Sequence, residues 1–166
     1  MIPRVRYWSN QVNGLKVIGK WFHDCLPANT LVATLANGAF SYYNELPTLD
    51  YQGLTDNNVG RFGKKQKTGG RPGHIASNDE YILNQKPDII AIMKGAGFEN
   101  TISNVTEFPG YNMTTFTFVN GTNPLGSYVN INIRNERKDE IIKMLLKNTS
   151  VKLVQSVPYK KDSSAL

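Results

Sequence analysis

Residues Thr30–Arg61, TLVATLANGAFSYYNELPTLDYQGLTDNNVGR, decide how this chain folds. Leu31 to Leu35 is a short, mostly apolar run with β-branched Val32 and Thr34, which reads as a buried strand. Asn37-Gly38 turns the chain, with Asn37 suited to cap the short helix expected over Ala39 to Asn44. Pro47 to Tyr51 is a second short strand, and a polar loop opens at Leu54-Thr55-Asp56. A strand, a helix and a strand in this order call for parallel pairing through a crossover.

Working outward, Asn10 to Leu26 carries Leu15, Ile18, Phe22 and Cys25 at helical spacing with Trp21 beside them, and Pro27 ends that amphipathic helix. On the other side, Asp56 to His74 reads as a long polar, glycine-rich loop. It holds Arg61, Lys64, Lys65, Lys67 and Arg71, with no acid after Asp56. Loops of this length without structure are usually functional or mobile. Ser77-Asn78-Asp79-Glu80 has the S-x-x-E pattern of a capping box, so a helix is expected through Asn84, followed by a third buried strand at Ile89 to Ile92.

The pattern then changes to longer strands at Thr101 to Phe108, Met113 to Val119 and Ser127 to Ile133. In the last of these Val129, Ile131 and Ile133 alternate with Asn130 and Asn132, which predicts one wet face. Asn120-Gly121 and Asn123-Pro124 mark the intervening turn. Glu136 to Lys147 is an amphipathic helix, Val151 to Val157 one more strand, and Lys160 to Leu166 a polar, frayed tail. The expected fold is α/β, three-layered and Rossmann-like. It is one domain over residues 1–166, with a parallel half at about 10–92 and antiparallel strands plus a helix at about 101–157.

A net charge of +6 favours anionic partners such as phosphate groups, lipid headgroups or nucleic acid, although a soluble surface can also simply be basic. Cys25 is the single cysteine, so no internal disulfide forms, and its apolar neighbours suit a buried, inert thiol. Met1 to Arg4 leads into polar residues rather than a secretory apolar run, and the longest apolar run, Ile89 to Met93, is too short to span a bilayer. The chain as given is expected to be soluble, whether whole or a piece of a longer protein.

The chemical motifs narrow the field. Neither G-x-G-x-x-G nor G-x-x-x-x-G-K-[ST] occurs, and Gly38 either offers backbone N–H groups to an anion or only makes the strand-to-helix turn. His23 and His74 lack metal-ligand spacing, and Ser41 is not in a G-x-S-x-G elbow. No cofactor is indicated. Carboxylates lead instead: ligands of open α/β sheets bind beyond the carboxyl ends of strands, where Asp50, Asp56, Arg61 and His74 could gather beside Tyr42 and Tyr43. That mixture suits sugar hydroxyls. Equally, Asp50 and Asp56 could fix turns through their own backbone, with one tyrosine in the core. Lys64, Lys65, Lys67 and Arg71 could meet phosphate, a lipid headgroup or an anionic membrane surface, or only solvent. Nucleic acid rests on charge alone, since Phe62 is the one stacking residue of the loop.

The combination Gly38, Tyr42-Tyr43, Pro47, Asp50, Gly53-Leu54, Asp56 and Arg61, then Gly73-His74, Tyr81, Leu83 and Pro87-Asp88, resembles the soluble C-terminal domain of bacterial polytopic glycosyltransferases. These are polyprenyl-phosphate-sugar-dependent membrane enzymes, including arabinofuranosyltransferase-like and mannosyltransferase-like proteins. Members read G-x-x-x-Y-Y-x-x-x-P-x-I-D-x-x-G-L-x-D-x-x-I-A-R, a basic spacer, G-H and Y-V-L-x-x-x-P-D-x-I. The likeness covers Trp21 to about Ile92, under half the chain. It departs from the pattern at Leu49, Gly60 and Ile75. The resemblance implies an extracytoplasmic (periplasmic) domain beside the inner membrane, joined to a transmembrane part that holds the catalytic acid. On that footing this chain is non-catalytic and assists acceptor-glycan or lipid-linked donor binding. The alternatives are a free-standing enzyme or binding protein acting on a sugar or phosphorylated ligand through Asp56 and His74, and a purely structural domain.

Overall fold

A computed structural model describes residues 3–35, 37–65, 76–91, 108–119 and 128–159, with side chains placed from residue 9 onward except that of Lys65. The expected strand at Thr101 to Phe108, all but its last residue, lies outside these segments, as do Ile92, Lys67, Arg71, His74 and the tail after Tyr159.

The N-terminal helix α1 (Pro3–Cys25) starts earlier than its apolar spacing suggests and feeds β1 (Val32–Thr34). Helix α2 (Ala39–Asn44) then leads to β2 (Thr48–Asp50), as the sequence predicts. Two short helices, α3 (Asn57–Phe62) and α4 (Asp79–Asn84), flank a small ribbon of β3 (Lys64–Lys65) and β4 (Ala76–Ser77). The chain returns to the sheet as β5 (Ile89–Ala91). Two long strands follow, β6 (Tyr111–Phe118) and β7 (Tyr128–Arg134). A 3-10 turn at Asn135–Arg137 leads into α5 (Lys138–Leu145), and β8 (Val151–Pro158) closes the fold.

The six-stranded sheet runs β2-β1-β5-β7-β6-β8. β1 is parallel to both β2 and β5, while β5–β7, β7–β6 and β6–β8 are antiparallel. This is the mixed α/β sheet the sequence calls for, with the antiparallel strands added beside β5. A register shift at Thr115/Phe116 leaves Val154 of β8 without an opposite residue on β6, which is a bulge in the edge strand.

Side-chain alternation splits the sheet into two faces. Val32, Ile89, Phe116, Val129, Ile131 and Ile133 point to one side and pack with Trp21 and Phe22 of α1, Phe40 of α2, and Ile141 and Leu145 of α5. Ala33 and Ile90 point to the other and pack with Val59 of α3, Ile82 of α4, Tyr51, Phe108 and Tyr111. Trp21 anchors the larger core. Its ring meets Phe22, Phe116 and Phe118 edge-on at 5.2–5.3 Å, and its indole N–H donates to the Leu145 carbonyl at 2.9 Å. A buried indole needs such a partner, and this one ties α1 to the end of α5.

Four sequence expectations are corrected. Asn37 does not cap α2: Gly38 holds that position with φ 153°, a conformation for glycine, and no side chain caps the helix. Residues 56–74 are not one loop, because Asp56 caps α3 and the ribbon follows. The cap of α4 is Asn78, whose side chain accepts from the Tyr81 N–H; Ser77 belongs to β4. The Asn130/Asn132 face of β7 is not wet throughout, since Asn132 is buried, as is Thr115 on β6, whose hydroxyl donates to Asn130 Oδ1 at 2.7 Å.

The other end of the parallel strands is closed by charge. Asp88 accepts from Arg134 at 2.7 Å and Arg137 at 3.1 Å on one oxygen and from the Leu31 N–H at 3.0 Å on the other.

Candidate functional site

The carboxyl ends of β1 and β2 are where this topology offers a ligand site. Asp50, the last residue of β2, is buried. One carboxylate oxygen accepts from the Gln52 N–H at 2.9 Å, and the other from the Thr55 N–H at 2.6 Å and the Thr55 hydroxyl at 3.3 Å. The Asn37 amide donates to the Thr55 hydroxyl at 2.8 Å, and the Ser41 hydroxyl donates to Asn37 Oδ1 at 2.7 Å. A chain of side-chain hydrogen bonds therefore runs from α2 through Asn37 and Thr55 to Asp50. Burial works to raise the Asp50 pKa. The Thr55 and Gln52 N–H groups, with help from Asn37 and the Thr55 hydroxyl, outweigh it and hold the carboxyl below its ordinary value.

Asp56 stands one turn further on. Its Oδ1 accepts from the N–H groups of Asn58 (2.9 Å) and Val59 (3.1 Å), and its Oδ2 takes a long bond of 3.4 Å from the Tyr81 hydroxyl. This is an N-cap with a cross-tie to α4. A second tie joins the same two regions: the Tyr51 hydroxyl donates to Asp79 Oδ1 at 2.5 Å, and burial followed by the Asp79 partnership drives the Tyr51 pKa far upward.

The turn between the two acids closes on glycine. Gly53 has φ +74°, and a Cβ there would lie 2.4 Å from the Gly60 nitrogen. The backbone of the 50–55 turn thus rests directly on α3. Gly60, where the resembling family carries alanine, is needed for this approach: its own Cβ would meet the Gly53 carbonyl at 2.7 Å.

The remaining candidates are more dispersed. Tyr42 is 75% exposed on α2 and meets Tyr43 edge-on at 5.1 Å; Tyr43 is half-buried with the Lys16 ammonium 5.1 Å from its ring centroid. Among the described residues, no hydrogen bond or ring contact joins either tyrosine to Asp50, Asp56 or Arg61. Arg61 is exposed in the last turn of α3, next to Phe62, which is 74% exposed. Lys64 is exposed on β3, and the backbone of Lys65 pairs with Ala76, so the ribbon brings residue 65 back to residue 76. His74, Lys67 and Arg71 lie outside the described residues. Among those described, no group of His, Cys, Asp and Glu could hold a metal ion, and no helix is long and apolar enough to cross a membrane.

The arrangement joins Asp50 and Asp56 through one rigid turn and leaves Tyr42, Arg61, Phe62 and Lys64 displayed. Sequence reading missed Asn37, Ser41 and Thr55 as the relay that fixes Asp50. The available signal was that three hydrogen-bonding residues sit within a few positions of two strand ends. By fold this is a mixed α/β domain whose parallel half carries the candidate site. The chain belongs to the family described as Domain of unknown function (DUF8728), which matches residues 4–139, from α1 through the start of α5. No curated protein and no solved structure matches it.

Proposed function

We propose that this chain is an extracytoplasmic, non-catalytic domain of a polyprenyl-phosphate-sugar-dependent membrane glycosyltransferase, working beside the transmembrane part of the same polypeptide. Its role is to hold the acceptor glycan or the lipid-linked donor near the catalytic centre. The observation that carries the reading is that both carboxylates of the signature are already engaged. Asp50 is buried under Gln52 and Thr55, and both Asp56 oxygens accept within the fold. A general acid or base must reach the proton it transfers, and these two are committed to shaping the turn. The exposed groups that this half of the chain displays are Tyr42 on α2 and Arg61 and Phe62 on α3, which suit the apolar faces and hydroxyls of sugars and the phosphate of a donor.

Titration of ¹⁵N-labelled chain with an arabinan or mannan oligosaccharide, and separately with a water-soluble short-chain polyprenyl-phosphate analogue, tests the proposal. Amide shifts are expected at Tyr42, Tyr43, Asp56 and Arg61. Shifts confined to the opposite end of the sheet, around Lys86 and Gly110, or none at saturation, refute it.

A further inference from the structure

We propose that the outer face of α3 is a membrane-contact surface that seats on an anionic bilayer. The inference shares Arg61 and Phe62 with the glycan reading but does not depend on it.

α3 turns only Val59 inward. Its outer side carries Phe62, 74% exposed, and the turn that packs on it presents Leu54, 55% exposed. The Gly53–Gly60 crossing fixes their relation, because Leu54 directly follows Gly53 while Arg61 and Phe62 directly follow Gly60. Two large apolar side chains are thus exposed on two stretches of backbone that touch at these glycines. Arg61 and Lys64 flank Phe62, are exposed, and form no ion pair among the described residues. The exposed side chains between residues 54 and 64 include no acid: Asp56 is half-buried and faces the helix N-terminus it caps.

Exposed apolar side chains with exposed cations close by in sequence suit an element lying in a lipid headgroup layer. The aromatic and the leucine enter the acyl boundary and the cations pair with anionic headgroups. The chain's net charge of +6 adds long-range attraction to the same surface. A nucleic-acid strand fits less well, since it needs successive stacking rings and would leave Leu54 unused.

The test is flotation of the chain with vesicles of phosphatidylglycerol and phosphatidylcholine in equal parts, against phosphatidylcholine alone. Binding is expected only to the anionic vesicles. Phe62→Ser is expected to weaken it about tenfold. The pair Arg61→Gln and Lys64→Gln should weaken it by about fivefold per charge removed. The pair Lys143→Gln and Lys147→Gln, in α5 and just after it on the other face of the sheet, removes the same charge and is expected to leave binding near wild type. All five substituted residues are exposed, so the thermal transition should not move, which separates lost contact from lost fold. No binding to anionic vesicles overturns the proposal. So does an equal loss in the α5 pair, or tighter binding of polyuridylate abolished by the same α3 substitutions. None of these outcomes bears on the soluble-ligand titration, so the two proposals fail separately.

Discussion

Replacing Asp50 by alanine removes the acceptor for two backbone N–H groups and one hydroxyl at a buried site. A hydrogen bond to a charged group contributes about 1.5–3 kcal/mol net, and the cost of burying the carboxylate offsets part of the sum. The expected loss is about 3 kcal/mol, since the Thr55 and Gln52 N–H groups are left without their acceptor. For a chain of this size that lowers the melting temperature by roughly 6–12 °C. Asp50→Asn, which keeps one acceptor oxygen, should fall between. Urea unfolding followed by tryptophan fluorescence at neutral pH measures the difference. The pH dependence supplies a second check. The folded-state pKa of Asp50 is lowered, so its stabilisation is complete above the unfolded value of about 3.9 and is lost as pH falls through the folded value. The gap between wild type and Asp50→Ala should therefore narrow on acidification below about pH 4. A difference under about 0.5 kcal/mol at neutral pH, the range of an ordinary surface change, would refute the assignment of Asp50 as the keystone of this turn.

Further outcomes follow from neighbouring features. Asp56→Ala should cost about 1 kcal/mol through the lost cap of α3, read in the same unfolding experiment; no loss would mean the carboxylate serves something other than the helix. Gly53→Ala should destabilise by more than about 2 kcal/mol, because it adds a left-handed penalty to a backbone collision with Gly60; a neutral result in thermal unfolding would contradict the close crossing. Burial, the largest influence, pushes the Tyr111 pKa up to about 12, and its hydroxyl donates to the Pro87 carbonyl. The folded state therefore keeps that proton longer than the unfolded chain, so stability should decline as pH rises from about 10 toward 12, and Tyr111→Phe should remove that part of the slope.

The parallel half was legible because its strands are short, apolar and β-branched, and its turns carry glycine, asparagine and proline. α2, β2, α4 and β5 fall where their residues place them. What sequence could not give was geometry created by long-range contact. α3 is only six residues long, and its sequence NNVGRF has no helical apolar repeat; it forms because Asp56 caps it and Gly60 lets the preceding turn lie against it. Asn132 looked solvent-facing by alternation, yet it is buried, which period-two reasoning cannot foresee. At the site, the two aspartates were legible as a pair with both a binding and a turn-forming reading, and the hydrogen bonds at Asp50 and Asp56 give the second reading its physical content. The relay through Asn37 and Thr55 joins residues 18 positions apart, beyond any local pattern.

The bulge in β8 has a consequence for assembly. Exposed sheet edges invite another strand, and proteins that avoid this keep edges short, bent or interrupted by lysine and proline. One edge here, β2, is three residues long. The other is kinked at Val154 and carries Lys152 and Pro158. Neither margin offers a straight template, so the fold resists growing strand by strand into a larger sheet or a fibre. Among the described strands, the short β3–β4 ribbon is the remaining place where a strand could add.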